Sequence, residues 1–133
     1  MTAYNGAVVK RRCSNPVRLA DVTDGTSTTL LVAEKQTNIR NFGSSGGDNE
    51  PWVNAGWDQD EIRVGSVSLP PAPDGKHPAE PPTYWSSQFG GSHPGVFNGV
   101  LVDGSVRSIG FTVDAEMFRR TCVRNDNLPV TLP

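Results

Sequence analysis

The chain has 133 residues, a formal net charge of −2, 35% hydrophobic residues, 14 glycines, 11 prolines and two cysteines. A chain of this length accommodates one domain, burying roughly two-thirds of its unfolded surface around a modest core with many turns. The near-neutral charge argues against a surface that tracks nucleic-acid phosphates, no apolar run approaches the ~18 residues of a membrane helix, and no segment reads as an export leader.

Met1 opens onto AYNGAVV, which reads as a strand and leads us to expect the back part of a longer protein. Residues 15 to 35, NPVRLADVTDGTSTTLLVAEK, combine a Thr-Asp-Gly turn at Asp24 and Gly25 with the β-rich run TLLVAE. Val17 and Leu19 alternate with polar residues before the turn, which predicts a β-arm, a turn and a strand. The next stretch, NIRNFGSSGGDNEPW, reads as loop, because Gly43, Gly46, Gly47 and Pro51 exclude a long helix.

Charge is unevenly placed. Asp48, Glu50, Asp58, Asp60 and Glu61 form an acidic segment with no Lys or Arg, whereas Lys10, Arg11 and Arg12 and then Arg119, Arg120 and Arg124 are basic groups near the two ends. Trp52, Val53 and Trp57 return apolar area to the acidic segment. The proline-dense SLPPAPDGKHPAEPP that follows favours an extended surface segment, with His77 as an exposed loop residue.

The clearest local signal is NGVLVDGSVRSI. Asp103-Gly104 suits a two-residue hairpin turn, which would set Val102 opposite Ser105, Leu101 opposite Val106 and Val100 opposite Arg107. One face would then collect Leu101 and Val106, the other Val100, Val102, Ile109 and Phe111, and the hairpin is expected at the centre of its sheet. A helix follows, capped by Asp114, stapled by Val113 onto Phe118, presenting Ala115, Phe118 and Cys122 on one face and stopping near Arg124. The fold class is α+β with β dominant: a small antiparallel sheet with an Asp-Gly hairpin, long irregular loops and one C-terminal helix.

The chemistry-bearing patterns are sparse. Ser92 adjoins His93, but GGSHPG is not a nucleophile elbow, and there is no phosphate-binding glycine loop, no H-E-x-x-H and no EF-hand spacing. Cys13 and Cys122 lack the paired spacing of a zinc site, and either one bridge or two separate buried thiols fits them. His93, framed by Gly90-Gly91-Ser92 and Pro94-Gly95, stands where the chain turns into the hairpin, and its imidazole can bond a backbone carbonyl or a carboxylate there. Two binding readings stay open beside this. Trp52, Trp57, Tyr84 and Trp85 could stack on cell-wall sugar, and Asp48, Glu50, Asp58 and Asp60 could supply oxygen ligands to Ca²⁺.

His93, nine intervening residues and then Asp103-Gly104-Ser105-Val106-Arg107 resemble the H-X9-DG signature of DUF1559, bacterial prepilin-like proteins related to the pseudopilins of type II secretion. LADVTDGTSTTLLVAEK resembles the family's "I-x-DITDGTSNTLLVGEK" block, GGDNEPW and GWDQDEIR its acidic block, FGGSHPG its "FGS-x-HPG", and FRRTCVRNDNLPV its closing helix and "R-x-DG-x-PV" tail. Thr28, Val102 and Asn127 depart from the family's usual residues, Asn127 standing in place of a glycine. The resemblance implies that residues 1–133 are a single globular domain, the C-terminal portion of a longer exported protein whose N-terminal apolar helix is absent here. It implies a non-enzymatic structural subunit of the periplasm, cell surface or extracellular space, with other pilin-like subunits or a cell-surface assembly as partners and no catalytic residue or cofactor to carry over. The domain itself would contact neither membrane nor nucleic acid, and His93, Asp103, Gly104, Asp24 and Gly25 would be structural.

Overall fold

The computed structural model describes Gly6 and residues 16–39, 62–75 and 87–132. Among these residues the architecture is β-dominated, with one α-helix near the C-terminus. A short 3-10 turn at Leu19–Asp21 precedes β1 (Leu30–Ala33), followed by β2 (Ala72–Pro73), β3 (Gly90–Gly91), β4 (Val96–Leu101), β5 (Val106–Gly110) and α1 (Ala115–Thr121). β4 is the middle strand of an antiparallel sheet of order β1-β4-β5, and β2 and β3 form a small parallel pair. Among the described residues no helix is long and apolar enough to cross a membrane.

The core lies on one face of the three-stranded sheet. Alternation along β4 buries Phe97, Gly99 and Leu101, and Ile109 on β5 and Leu30 on β1 meet them there. Phe118 of α1 closes this layer, its ring edge-on to both Phe89 and Phe97 at centroid separations of 5.4 and 5.7 Å. Gly99 leaves room at the centre for Leu30, whose Cδ1 would stand 2.7 Å from a Cβ there and would have to shift.

The expected β-arm before the first turn is instead the 3-10 turn, with Leu19 72% exposed. Arg18 and Asp21 close it reciprocally, the Asp21 carboxylate accepting from the Arg18 N–H at 2.8 Å and from its guanidinium at 3.1 Å. The local polar closure sets this conformation, and among the described residues no strand pairs with Val17 or Leu19.

The hairpin also differs in register. Val100 faces Val106 and Gly99 faces Arg107, one residue away from the two-residue turn expectation. The Leu101 N–H donates to Ser105 O at 2.9 Å and the Gly104 N–H to Leu101 O at 2.9 Å, leaving a three-residue loop, Val102 to Gly104, with φ +85° at Gly104 and no positive φ at Asp103. Asp-Gly serves both loop types, and burial decides between them. The observed register puts Ile109 inside with Leu101 and leaves Val106 68% exposed. β4 is central as expected, but its hairpin partner β5 is an edge strand.

The helix begins as expected, the Asp114 carboxylate accepting from the Met117 N–H at 2.9 Å. It ends at Thr121, three residues before Arg124. Phe118 and Thr121 are its buried residues, and Val113 and Cys122 pack against the same core.

The proline-dense segment is described only as far as Gly75; within it Ala72–Pro73 form the strand β2, and this part is fastened rather than lying free on the surface. Pro71 is buried, and the buried Gln36 and Gln88 hold the strap from beneath by donating side-chain N–H groups to Pro73 O at 2.9 Å and Pro70 O at 2.7 Å. A Cβ at Gly90 would collide with Ala72 O, so glycine is what allows β2 to approach β3.

Candidate functional site

The residues of the histidine-to-Asp-Gly spacing bracket β4. His93 lies in the loop that brings the chain from β3 into β4, and Asp103-Gly104 forms the loop that takes it out. Each end is fastened to β1 or to the turn that precedes it, so the spacing measures one strand and its two corners.

At the first end the organiser is Glu34, just after β1. Its Oε1 lies 3.0 Å from His93 Nε2, and its Oε2 accepts the Asn98 N–H at 2.7 Å. The Glu34 N–H donates to Asn98 O at 3.0 Å and its C=O accepts from the Gly90 N–H at 3.1 Å, so backbone and side chain together join β1, β3 and β4. Gly91 makes room, since a Cβ there would come 3.0 Å from Glu34 Oε2. Partial burial opposes the charge on Glu34, but the Asn98 N–H and the His93 imidazole outweigh it and hold the carboxyl below its ordinary value.

At the other end the loop tip docks on the Thr-Asp-Gly turn. Val102 and Asp103 donate their N–H groups to Thr29 O at 2.9 Å and Thr26 O at 3.0 Å. Asp103 Oδ1 accepts from the Ser105 hydroxyl at 2.6 Å and N–H at 2.8 Å, and the hydroxyl first, then the N–H, lowers its carboxyl pKa. Gly25, at φ +104°, turns its C=O toward the Thr28 and Thr29 hydroxyls at 3.1 and 2.9 Å.

Asp24 reaches a third element. Its Oδ2 accepts the Asp126 N–H and its Oδ1 the Asn127 N–H, both at 2.7 Å, and its own N–H donates to Arg124 O at 3.1 Å. The tail after α1 is therefore wrapped onto the first turn. Asn127 adopts φ +58°, the left-handed conformation in which a glycine is at ease and asparagine is tolerated, which explains its standing where the resembled tail has glycine. Arg119 and Arg120 hold Glu116 at 2.7 and 2.9 Å, and their hydrogen bonds pull its carboxyl down to about 2.

A common device emerges from the three described Asp-Gly pairs. Gly25, Gly75 and Gly104 all take positive φ, and the preceding Asp24, Asp74 and Asp103 each accept a backbone N–H, from Asp126 and Asn127, from Thr37 at 2.7 Å, and from Ser105. The glycine turns the chain and the carboxylate fastens the corner. Sequence reading singled out two of these pairs but missed Glu34, Gln36, Gln88 and Asp74. Glu34 stands inside the quoted LLVAEK block, yet a lone carboxylate after an apolar run reads as a solvated residue.

Chemically, Glu34 and His93 form a carboxylate–imidazole pair, but among the described residues no hydroxyl or thiol hydrogen-bonds the imidazole. No group of three or more metal-ligating side chains converges among the described residues. Asp48, Glu50, Asp58, Asp60, the aromatics Trp52, Trp57, Tyr84 and Trp85, and Cys13 and His77 lie outside the described residues. Cys122 carries a free thiol against Gly65, and burial pushes its pKa up to about 12.

The family model described as protein of unknown function DUF1559 matches residues 1–116. This chain belongs to that family. No curated protein and no solved structure matches it. The DUF1559 match takes in Asp24, Glu34, His93 and Asp103 and ends inside α1, so the tail that Asp24 captures lies beyond it.

Proposed function

We propose that this DUF1559 chain is the globular head of an exported, pilin-like structural subunit, related to the pseudopilins of type II secretion, and that it acts by assembly rather than catalysis. The observation that supports the reading is where its signature side chains direct their hydrogen bonds. Asp24 and Glu34 hold backbone N–H groups of remote segments, Asp103 fastens its own turn, and His93 bonds Glu34. Side chains that hold backbone N–H groups and turns in this way are what a structural scaffold calls for, and the reading assigns them that role. In this reading residues 1–133 form one domain following a long apolar helix, at the periplasmic, cell-surface or extracellular side, with other pilin-like subunits or a cell-surface assembly as partners.

The test is the genomic reading frame upstream of Met1 together with fractionation of the epitope-tagged full-length product. A cleavable leader, a long apolar helix and an envelope or extracellular location support the proposal. A cytosolic product with no such helix overturns it. The reading needs no cofactor, so thermal melts in EDTA and in millimolar CaCl₂ should agree within about two degrees, whereas bound Ca²⁺ at a hundredfold excess over its dissociation constant would add ~2.7 kcal/mol.

A further inference from the structure

We infer that β5 is a pairing edge through which two copies of this chain join their three-stranded sheets into one continuous sheet, the two β5 strands running antiparallel about Ser108. The inference stands on main-chain chemistry and does not rest on the proposed export. In the β4–β5 ladder the facing pairs alternate, and the Leu101–Ser105 and Gly95–Phe111 bonds fix the phase: Arg107 and Ile109 bond inward to β4, while Val106, Ser108 and Gly110 turn their N–H and C=O groups outward. Among the described residues nothing hydrogen-bonds the outward groups of Val106 or Ser108, and of Gly110 only the C=O is taken, by the Val113 N–H at 3.0 Å.

The two edges of the sheet are not alike. β1 is interrupted by a bulge at Leu31, where the register shifts between Leu30 and Val32, a feature that bends an edge away from pairing. β5 has no bulge, no proline and one charged residue, Arg107. An apolar row also reaches this edge on the outer face: Val32, Val100 and Val106 pair across the three strands, and Val106 at the β5 end is 68% exposed.

A second copy fits this edge because an isologous contact demands self-complementarity, and β5 provides it. The outward residues Val106, Ser108 and Gly110 are symmetric about Ser108. In that register Ser108 pairs with Ser108 of the second copy and Val106 with Gly110 of the second copy, whose missing side chain leaves room for the valine. The free groups then supply mutual Ser108 bonds and bonds from each Gly110 N–H to the other copy's Val106 C=O. Arg107 faces Ile109 of the second copy rather than another arginine, so the pairing opposes no like charges.

The test is sedimentation equilibrium of the full chain across a concentration series, with circular dichroism confirming the fold of each variant. The wild type should rise from 14.3 kDa toward twice that mass. Ser108→Pro removes an outward N–H that the fold does not use, and Val106→Lys places a charge on the exposed edge; each should weaken association at least tenfold. Leu31→Lys, on the bulged edge, should leave it unchanged. A wild type that stays at 14.3 kDa throughout, or association that survives both β5 variants or is lost only with Leu31→Lys, overturns the inference.

Discussion

Glu34 Oε1 and His93 Nε2 lie 3.0 Å apart although 59 residues separate them in the chain. The carboxylate's other oxygen is committed to the Asn98 N–H, so the two contacts differ in weight. The imidazole is about half exposed, at 47%, and can rehydrate if released, whereas Asn98 sits within β4.

Glu34→Ala should therefore cost more than His93→Ala. A charge-assisted bond to a backbone donor contributes ~1.5–3 kcal/mol, and an exposed side-chain pair ~0–1 kcal/mol. Urea denaturation of the two variants and of the double variant checks this. A His93 variant costing as much as the Glu34 variant would refute the hierarchy.

The corner glycines make a graded series. Gly104→Val should cost ~1 kcal/mol or more through backbone strain alone, because nothing lies within 4 Å of its would-be Cβ. Gly25→Val should cost more, since φ +104° adds strain and a Cβ meets Thr28 Oγ1 at 2.9 Å. Melting temperatures in the order wild type, Gly104→Val, Gly25→Val are the expected result.

The tail clasp predicts opposite outcomes at one position. Asn127→Gly should leave stability within ~0.5 kcal/mol of wild type, or raise it, while Asn127→Val should lose ~1–2 kcal/mol because a β-branched residue resists φ +58°. Equal effects of the two substitutions would show that position 127 does not hold the left-handed conformation.

Acid should unfold the protein in part through Glu116. Its carboxyl ordinarily titrates near 4.5 and is held at about 2 in the fold, so its contribution is complete above the unfolded value and is lost as pH falls from 4.5 toward 2. Glu116→Gln should flatten stability against pH within that window, and added salt should shrink the difference.

Burial pushes the Cys122 thiol pKa up to about 12, so even in mildly alkaline buffer it forms far less thiolate than an ordinary cysteine. In a Cys13→Ser background, Ellman's reagent should meet no reactive thiol until denaturant is added. Rapid native-state labelling would show that Cys122 is open to solvent.

Local rules made much of this protein legible from its residues: the Asp-Gly corners, the strand after the first turn, the Asp114 cap and the β-dominated class all follow from interactions that span a few residues. Sequence block order alone also pointed to the family. What local rules could not choose was anything decided by burial across the chain. Asp103-Gly104 permits two loop lengths, and only the need to place Ile109 beside Leu101 and Phe118 selects the three-residue loop and its register. Val17 and Leu19 alternate like a strand, but a strand needs a neighbour, and among the described residues none pairs with them, so the Arg18–Asp21 closure shapes the segment instead. His93 was readable as a loop fastener, whereas its partner Glu34, like the tail captured by Asp24, is defined by contacts that exist only once distant segments meet. A lone carboxylate becomes a clasp when folding brings it a backbone N–H to satisfy, and that pairing is a property of the tertiary structure.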